Sequence, residues 1–478
     1  MKKQAVNPYL PEGKYFPDGE PHVFGGRVYV YCSQDKFGGK RFCTGDYEVW
    51  SAPISDLSDW SCKKIALPRK NKLNRSGRKC MWAPDCTRGA DGKFYLYFCF
   101  GFENRICVAA GDEPGGPFKI IGCVRHADGR LYGTAKGDIM CFDPGVYTDE
   151  GGRTYLYSGF SPRGLIRLGL RLKGIKNVSG NGGQVMKLRA DMLTLDGAPH
   201  MSIPGCENSE GTGFEGHEFY EASSMRRIGD EFYFIYSTIN SHEIAYATGP
   251  SPEGPFEYGG VIISNGDFGV GWEPDIAKTY WGNNHGSLAE LNGQWYIFYH
   301  KQTNKTEQSR QGCAEPVEIG ADGSIRQVET TSCGLNGGPL AGDGMYPAYI
   351  ACNLTSEGGA CKCAYGPMRR WTYFRHPCIT QDGGRQYIRG MRRGARATFR
   401  YFDIADLKTI SVTVRGSGGV MEVYADEEDE PFAVIPLQRR SSWTEFAAEC
   451  AVDGGVRALT FRYNGGGKCD MLAFTLIK

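Results

Sequence analysis

The chain carries no excess of charge of either sign: 55 Lys and Arg stand against 54 Asp and Glu over 478 residues. Nucleic-acid binding needs a basic face, so this balance argues against such a partner. There is no apolar run long enough to span a bilayer, which argues against a membrane partner. The opening residues, Met1-Lys2-Lys3-Gln4-Ala5-Val6-Asn7-Pro8, are basic but have no apolar stretch behind them. They do not read as a signal peptide. The expected location is therefore the cytoplasm, with secretion the alternative where a leader has been removed. The 18 cysteines include no Cys-x-x-Cys pair, and Cys361-Lys362-Cys363 is too tight for a zinc knuckle. They read as reduced thiols serving as small hydrophobes rather than as a disulfide framework.

What is present is glycine and aromatics: 67 Gly, 27 Tyr and 25 Phe. Aromatic strands between glycine-rich turns point to an all-β chain with short strands. The length exceeds one ordinary core, so two domains are expected. One pattern recurs five times, a turn followed by a Tyr-rich strand. Its copies are Gly25–Tyr31, Asp91–Tyr97, Gly151–Tyr157, Gly229–Tyr236 and Asn292–Tyr299. The marker residues Tyr29, Tyr95, Tyr155, Tyr233 and Tyr296 are 66, 60, 78 and 63 residues apart. Each interval fits one four-stranded sheet with its loops, and five such sheets in series predict a five-bladed β-propeller. A second echo, Gly115-Gly116-Pro117-Phe118 against Glu253-Gly254-Pro255-Phe256, follows two of the markers.

A titratable residue sits 10 to 12 positions ahead of every marker: Asp18, Asp85, Asp143, Glu221 and His285. On the first strand of each blade this slot faces the central channel. Clustered carboxylates shift one another's pKa, and acid–base catalysis uses such shifts. A turn-capping role is the alternative for any one of them, and a supporting role stays open for Asp85 and His285. Pro144 predicts an extended backbone at Asp143. Small residues after Glu221, Ala222-Ser223-Ser224, leave room for a ligand, and Ser224 joins the candidate binding residues. Trp82 and Trp281 are candidate sugar-stacking surfaces, with core packing the alternative.

These stretches resemble glycoside hydrolase family 43 over roughly residues 7 to 335. The carriers are Asn7-Pro8 with Tyr15 and Asp18, Trp82-Ala83-Pro84-Asp85, Phe142-Asp143-Pro144, Phe219-Tyr220-Glu221-Ala222-Ser223, Asn284-His285-Gly286-Ser287 and Ser309-Arg310-Gln311-Gly312. The resemblance implies an inverting glycosidase. Asp18 matches its general base, Glu221 its general acid and Asp143 the carboxylate that raises the acid's pKa. His285 matches a buried histidine beneath the sugar, near a water or calcium, and Arg310 a basic residue at the pocket. Trp82, Asp85 and Ser224 complete the implied substrate contacts. No cofactor is implied beyond that structural calcium. The family shows Asp-Pro at the base, whereas this chain reads Asp18-Gly19-Glu20-Pro21, which makes Glu20 a rival base. Glu215 and Glu218 are rivals to Glu221. An inverting enzyme places acid and base roughly 6.5–9.5 Å apart.

After Thr330 the text changes. Leu335–Gly344 reads as a linker, and alternation such as Thr409–Val414 and Ala458–Tyr463 predicts an antiparallel β-sandwich. The expected domains are a propeller over 1–335 and a sandwich over 345–478. The sandwich is similar to carbohydrate-binding modules of family 6, with simple buttressing of the propeller the alternative. The activity implied is exo-release of L-arabinofuranose, or xylose, from plant polysaccharide side chains. A β-D-galactofuranosidase on the same scaffold and a non-catalytic sugar-binding propeller are the alternatives. The Asn-Asp-Pro motif of the retaining fructan-cleaving propellers is absent.

Overall fold

The computed structural model describes residues 3–271, 274–357, 359–361, 375–426 and 428–478. Each marker tyrosine lies on the second strand of its own sheet. The first blade runs Glu20–Phe24, Arg27–Tyr31 and Trp50–Pro53, with Tyr47–Glu48 pairing Ile65–Leu67 beside it. The second runs Met81–Arg88, Phe94–Phe100, Ile106–Gly111 and Lys119–Cys123. The third runs Gly145–Thr148, Thr154–Ser158, Gly182–Leu188 and His200–Pro204. The fourth runs Phe219–Ile228, Glu231–Thr238, Glu243–Gly249 and Glu257–Ser264, and the fifth Leu288–Leu291, Gln294–Thr303 and Thr306–Val317. Neighbours within each blade are antiparallel.

The aromatic strands carry no polar face because each blade is covered on both sides. Phe94–Phe100 is buried at every position. Five clusters of the propeller core each fill the space between two neighbouring blades. Tyr31 and Tyr47 of the first blade meet Leu96 and Phe98 of the second, and Tyr97 and Val108 of the second meet Leu156 and Met186 of the third. Tyr157 meets Phe234 between the third and fourth, and Ile235 meets Ile297 between the fourth and fifth. The last cluster joins Val28, Val30 and Trp50 of the first blade to Tyr296 and Phe298 of the fifth, which closes the ring. The chain's start reinforces that closure. Asn7 donates to Ala314 O at 2.9 Å and to Glu315 Oε1 at 2.8 Å, and accepts from Ala314 N at 3.0 Å.

The tyrosines also explain the second echo. Tyr31 of the first blade donates to Pro114 O of the second at 2.8 Å, and Tyr157 of the third to Pro252 O of the fourth at 2.7 Å. Both echo segments are hairpins between third and fourth strands, held by the preceding blade. A buried hydroxyl needs a partner, and here the partner fixes one blade against the next.

Two further sheets follow. One is ordered Leu340–Ala341, Arg396–Ile404, Gly455–Asn464, Gly419–Ala425 and Ala433–Leu437; the other Cys378–Asp382, Arg385–Met391, Cys469–Ile477, Thr409–Gly416 and Arg440–Glu449. They form a sandwich around Phe399, Phe402, Phe461 and Phe474. The stretch read as a linker takes part in it: Leu340–Ala341 pairs in parallel with Arg396–Ile404, and Leu340 is fully buried. The described cysteines are free thiols, and Cys107 and Cys123 approach to 3.5 Å across one hairpin. Lys362 and Cys363 of the tight Cys361-Lys362-Cys363 run lie outside the described residues.

Candidate active site

Where the inner strands converge, a cavity of about 1350 Å³ opens on one end of the ring. Asp18, Asp143, Glu221, His285 and Arg310 all line it, as does Trp82. The three carboxylates are buried. Asp18 and Asp143 lie just ahead of their inner strands with φ of 60° and 41°. The extended backbone expected at Asp143 is therefore not what forms. Pro144 disfavours the right-handed helical region, and Asp143 avoids it through the left-handed one, which Asp tolerates better than most residues. Glu221 lies within its strand at a register shift against Ser237, and Ala222 beside it has φ 64°. These local departures from strand geometry turn the side chains toward the axis.

Each carboxylate has different neighbours. Arg310 Nη1 stands 2.7 Å from Asp18 Oδ1, while Arg310 Nε and Nη2 hold Asp35 at 2.9 and 3.2 Å. Burial raises the Asp18 pKa, but the Arg310 charge outweighs it, with His285 adding to the pull, and Asp18 is held below the usual range. His300 donates from Nε2 to Asn283 O at 2.7 Å, which leaves Nδ1 to accept from Asp18 N–H at 3.3 Å. Burial and Arg310 push His300 down to about 3, so it is a neutral prop for the Asp18 backbone.

Glu221 is the opposite case. Burial and then the Asp143 charge push its pKa well above the carboxylate range, with His285 opposing. Asp143 is moved upward by burial too, and His285 again opposes. His285 lies between two acids, with Nδ1 at 3.5 Å from Asp143 Oδ2 and Nε2 at 3.4 Å from Glu20 Oε1. Burial lowers its pKa, but Asp143 and Glu20 overcome that and leave it well above the usual value. One floor thus brings together a carboxyl biased toward ionisation, a carboxyl biased toward protonation and an imidazole biased toward its cation.

Three expected site residues lie elsewhere. Glu20, the rival base, is outside the lining: Ser224 donates to its Oε2 at 2.9 Å and Arg226 Nη2 stands at 3.0 Å. Ser224 is occupied by this contact and by Ser287 Oγ at 2.8 Å, so it cross-links inner strands instead of meeting a ligand. Asp85 is fully buried. His22 Nε2 stands 2.7 Å from it, and the backbone N–H groups of Cys86 and Val146 donate to it at 2.7 Å each. It ties the first three blades together. The repeated slot is thus shared between site and scaffold.

A cation would find little here. Ligand atoms of Glu20, His22 and Asp85 lie within 4.8 Å of one another. The Asp85 oxygens and Glu20 Oε2 are already engaged, and Glu20 Oε1 alone accepts no hydrogen bond. Calcium takes six to eight oxygen ligands. Glu20 Oε1 and His285 Nε2 do not make that set, so these residues do not fit a directly held calcium.

Several lining residues carry no repeat signal. Phe142 stacks on Phe160 at 4.6 Å, Trp82 meets Phe142 edge-on at 4.9 Å, and Tyr220 packs on Phe160 at 5.2 Å. Together they form an aromatic wall. Trp281 and Phe268, 5.4 Å apart, form another part of the cavity wall.

The model of the glycosyl hydrolases family 43 matches residues 13–325. The chain belongs to that family. A "Xylosidase/arabinosidase" of Thermoclostridium stercorarium is 46% identical over 486 residues, covering 100% of this chain and 99% of that one. Among solved structures, a family 43 β-xylosidase/α-arabinofuranosidase from a compost microbial metagenome, in complex with xylotriose and in calcium-free form, is 27% identical. It has a TM-score of 0.51 and covers 69% of this chain and 98% of that one. An arabinoxylan arabinofuranohydrolase from Bacillus subtilis matches 99% of this chain and 97% of its own at 20% identity and a TM-score of 0.51, a likeness of fold. The protein is a glycoside hydrolase of the arabinofuranosidase/xylosidase type. Of the family residues carried over by sequence, Asp18, Asp143, Glu221, His285, Arg310 and Trp82 meet at one cavity.

Proposed function

We propose that this family 43 enzyme removes a terminal L-arabinofuranose or xylose from plant polysaccharide or oligosaccharide side chains, with inversion at the anomeric carbon. The observation that carries this reading is the divergence of Asp18 and Glu221 at one cavity: Arg310, 2.7 Å away, holds the first carboxyl below the usual range, while burial and then Asp143 push the second well above it. Groups pushed apart in this way mark a base and an acid. Asp18 takes a proton from water as the water oxygen bonds to the anomeric carbon. Glu221 gives its proton to the glycosidic oxygen as the carbon–oxygen bond breaks. Asp143 keeps Glu221 protonated until that step, and His285 balances the remaining charge. Every step runs through side chains of this chain.

The names borne by the relatives supply the sugar; a panel of nitrophenyl glycosides tests it. Turnover on the α-L-arabinofuranoside or β-D-xyloside is expected. Activity confined to the galactofuranoside would overturn the sugar assignment. Proton NMR of the first product formed tests the mechanism, and retention of configuration would refute Asp18 as a base acting through water.

A further inference from the structure

The cavity wall is not made by the propeller alone. Ser356, Glu357, Ala360, Cys361 and His376 line it from the C-terminal third of the chain. Backbone hydrogen bonds hold this edge to the loop after the fourth blade: Leu354 N to Lys278 O and Ala360 N to Ala277 O, both at 2.9 Å. Behind them Arg400 Nη1 reaches Glu329 at 2.6 Å and Asp267 at 3.2 Å. Its Nη2 donates to Asn353 at 2.6 Å. Lys301 of the fifth blade, buried, donates to the carbonyls of Tyr349 and Ala351 at 3.3 and 3.2 Å. A buried polar network whose members are satisfied rigidifies the elements it joins, and this one joins the sandwich to the fourth and fifth blades.

His376 is 6% exposed, and its Nδ1 has no hydrogen-bond partner among the described residues; Nε2 faces Ser356 Oγ at 3.4 Å. Burial, then Lys305, push its pKa down to about 4, so the ring is neutral. A buried polar atom without a partner is costly, and such atoms in native structures call for an explanation. A sugar hydroxyl both donates and accepts, which suits a neutral imidazole beside a serine. The cavity also exceeds the roughly 300–1,000 Å³ that holds a drug-sized ligand. The reacting sugar must sit at the buried carboxylates. Glu357 of the sandwich edge lines the same cavity and is exposed, so the cavity meets solvent along that edge, on the side left for the rest of a substrate.

We propose that the sandwich builds the subsite for the saccharide on the leaving-group side of the scissile bond, with Ser356 and His376 binding its hydroxyls. This rests on the glycosidase reading above. It gives the C-terminal sheets a direct part in substrate selection.

The test uses the full chain with Ser356→Ala, His376→Ala and His376→Gln. Two substrates carry the same terminal sugar: a nitrophenyl glycoside and an oligosaccharide. Losing one hydrogen bond is expected to lower kcat/KM on the oligosaccharide about two- to tenfold. The nitrophenyl rate stays within about twofold, and His376→Gln recovers part of the loss. Ser356→Ala, a small change at the surface of the wall, keeps the melting temperature of the parent. Equal losses on both substrates, or no loss on the oligosaccharide, overturn the proposal. A parent enzyme idle on both substrates overturns the sugar assignment instead, so the two failures are distinguishable.

Discussion

Arg310 holds Asp18 at 2.7 Å through one guanidinium nitrogen and Asp35 through two others, with all three side chains buried. The cation is therefore fixed by Asp35 and aimed at Asp18. Replacing Arg310 by Ala leaves two buried carboxylates without their cation. Breaking a buried pair in this way costs about 3–5 kcal/mol, to be read from urea unfolding.

The same contact sets the acidic limb of the pH–rate profile. Asp18 works as a base only when ionised, and Arg310 lowers its pKa against burial. Arg310→Lys keeps a charge but loses the fork, so the acidic limb of kcat/KM moves to higher pH. An unmoved limb would mean that a different group ionises there. The Asp18 pair also stabilises the fold above the unfolded-state pKa, and this contribution fades as pH falls through the lower folded value.

Asp143→Asn removes a negative charge that raises the Glu221 pKa. The alkaline limb, which marks loss of the acid's proton, moves to lower pH. Glu221→Gln removes the proton donor itself and lowers turnover on unactivated oligosaccharides by about 10²–10⁴-fold. A nitrophenyl leaving group needs less protonation and loses less. Steady-state profiles of both variants on both substrates check this.

Glu20 and Asp18 were both open as the base from the sequence. Glu20→Gln keeps an oxygen for Ser224 and Arg226, so turnover survives within about tenfold, at the cost of the ion pair with His285. Asp18→Asn loses about 10²–10⁴-fold. The reverse order of losses would exchange the two roles.

Among the described residues the Glu20–His22–Asp85 cluster offers calcium no adequate set of ligands: Glu20 Oε1 is its one oxygen without a hydrogen bond, and that oxygen faces His285 Nε2 at 3.4 Å. Incubation with a chelator is expected to leave kcat unchanged. A loss restored by added calcium would show that waters complete a site there.

The ring was legible because its period is written in tyrosines. Tyr29, Tyr95, Tyr155, Tyr233 and Tyr296 mark second strands, and the slot ahead of them finds Asp18, Asp143, Glu221 and His285 at one floor. The slot could not separate chemistry from scaffolding. Asp85 and Ser224 look alike in sequence to residues that face the cavity, but backbone donors and neighbouring strands claim their side chains. Phe160 and His376 were missed for another reason. They come from loops and from the sandwich, and only tertiary folding brings them to the cavity. Asp143 was placed in the right slot with the wrong backbone, since the residue after it restricts one region without selecting between the others.

The clasp between Asn7 and Ala314 has a consequence in time. Asn7 is made first and its partner 307 residues later. At about 5–20 residues per second that delay is roughly 15–60 s. Until then Val28, Val30 and Trp50 of the first blade lack the fifth-blade side chains that cover them. The nascent chain is an open arc with an adhesive edge for most of its synthesis. A chain stopped short of Ala314 should accumulate as aggregate, whereas one carried through the fifth blade should stay in solution.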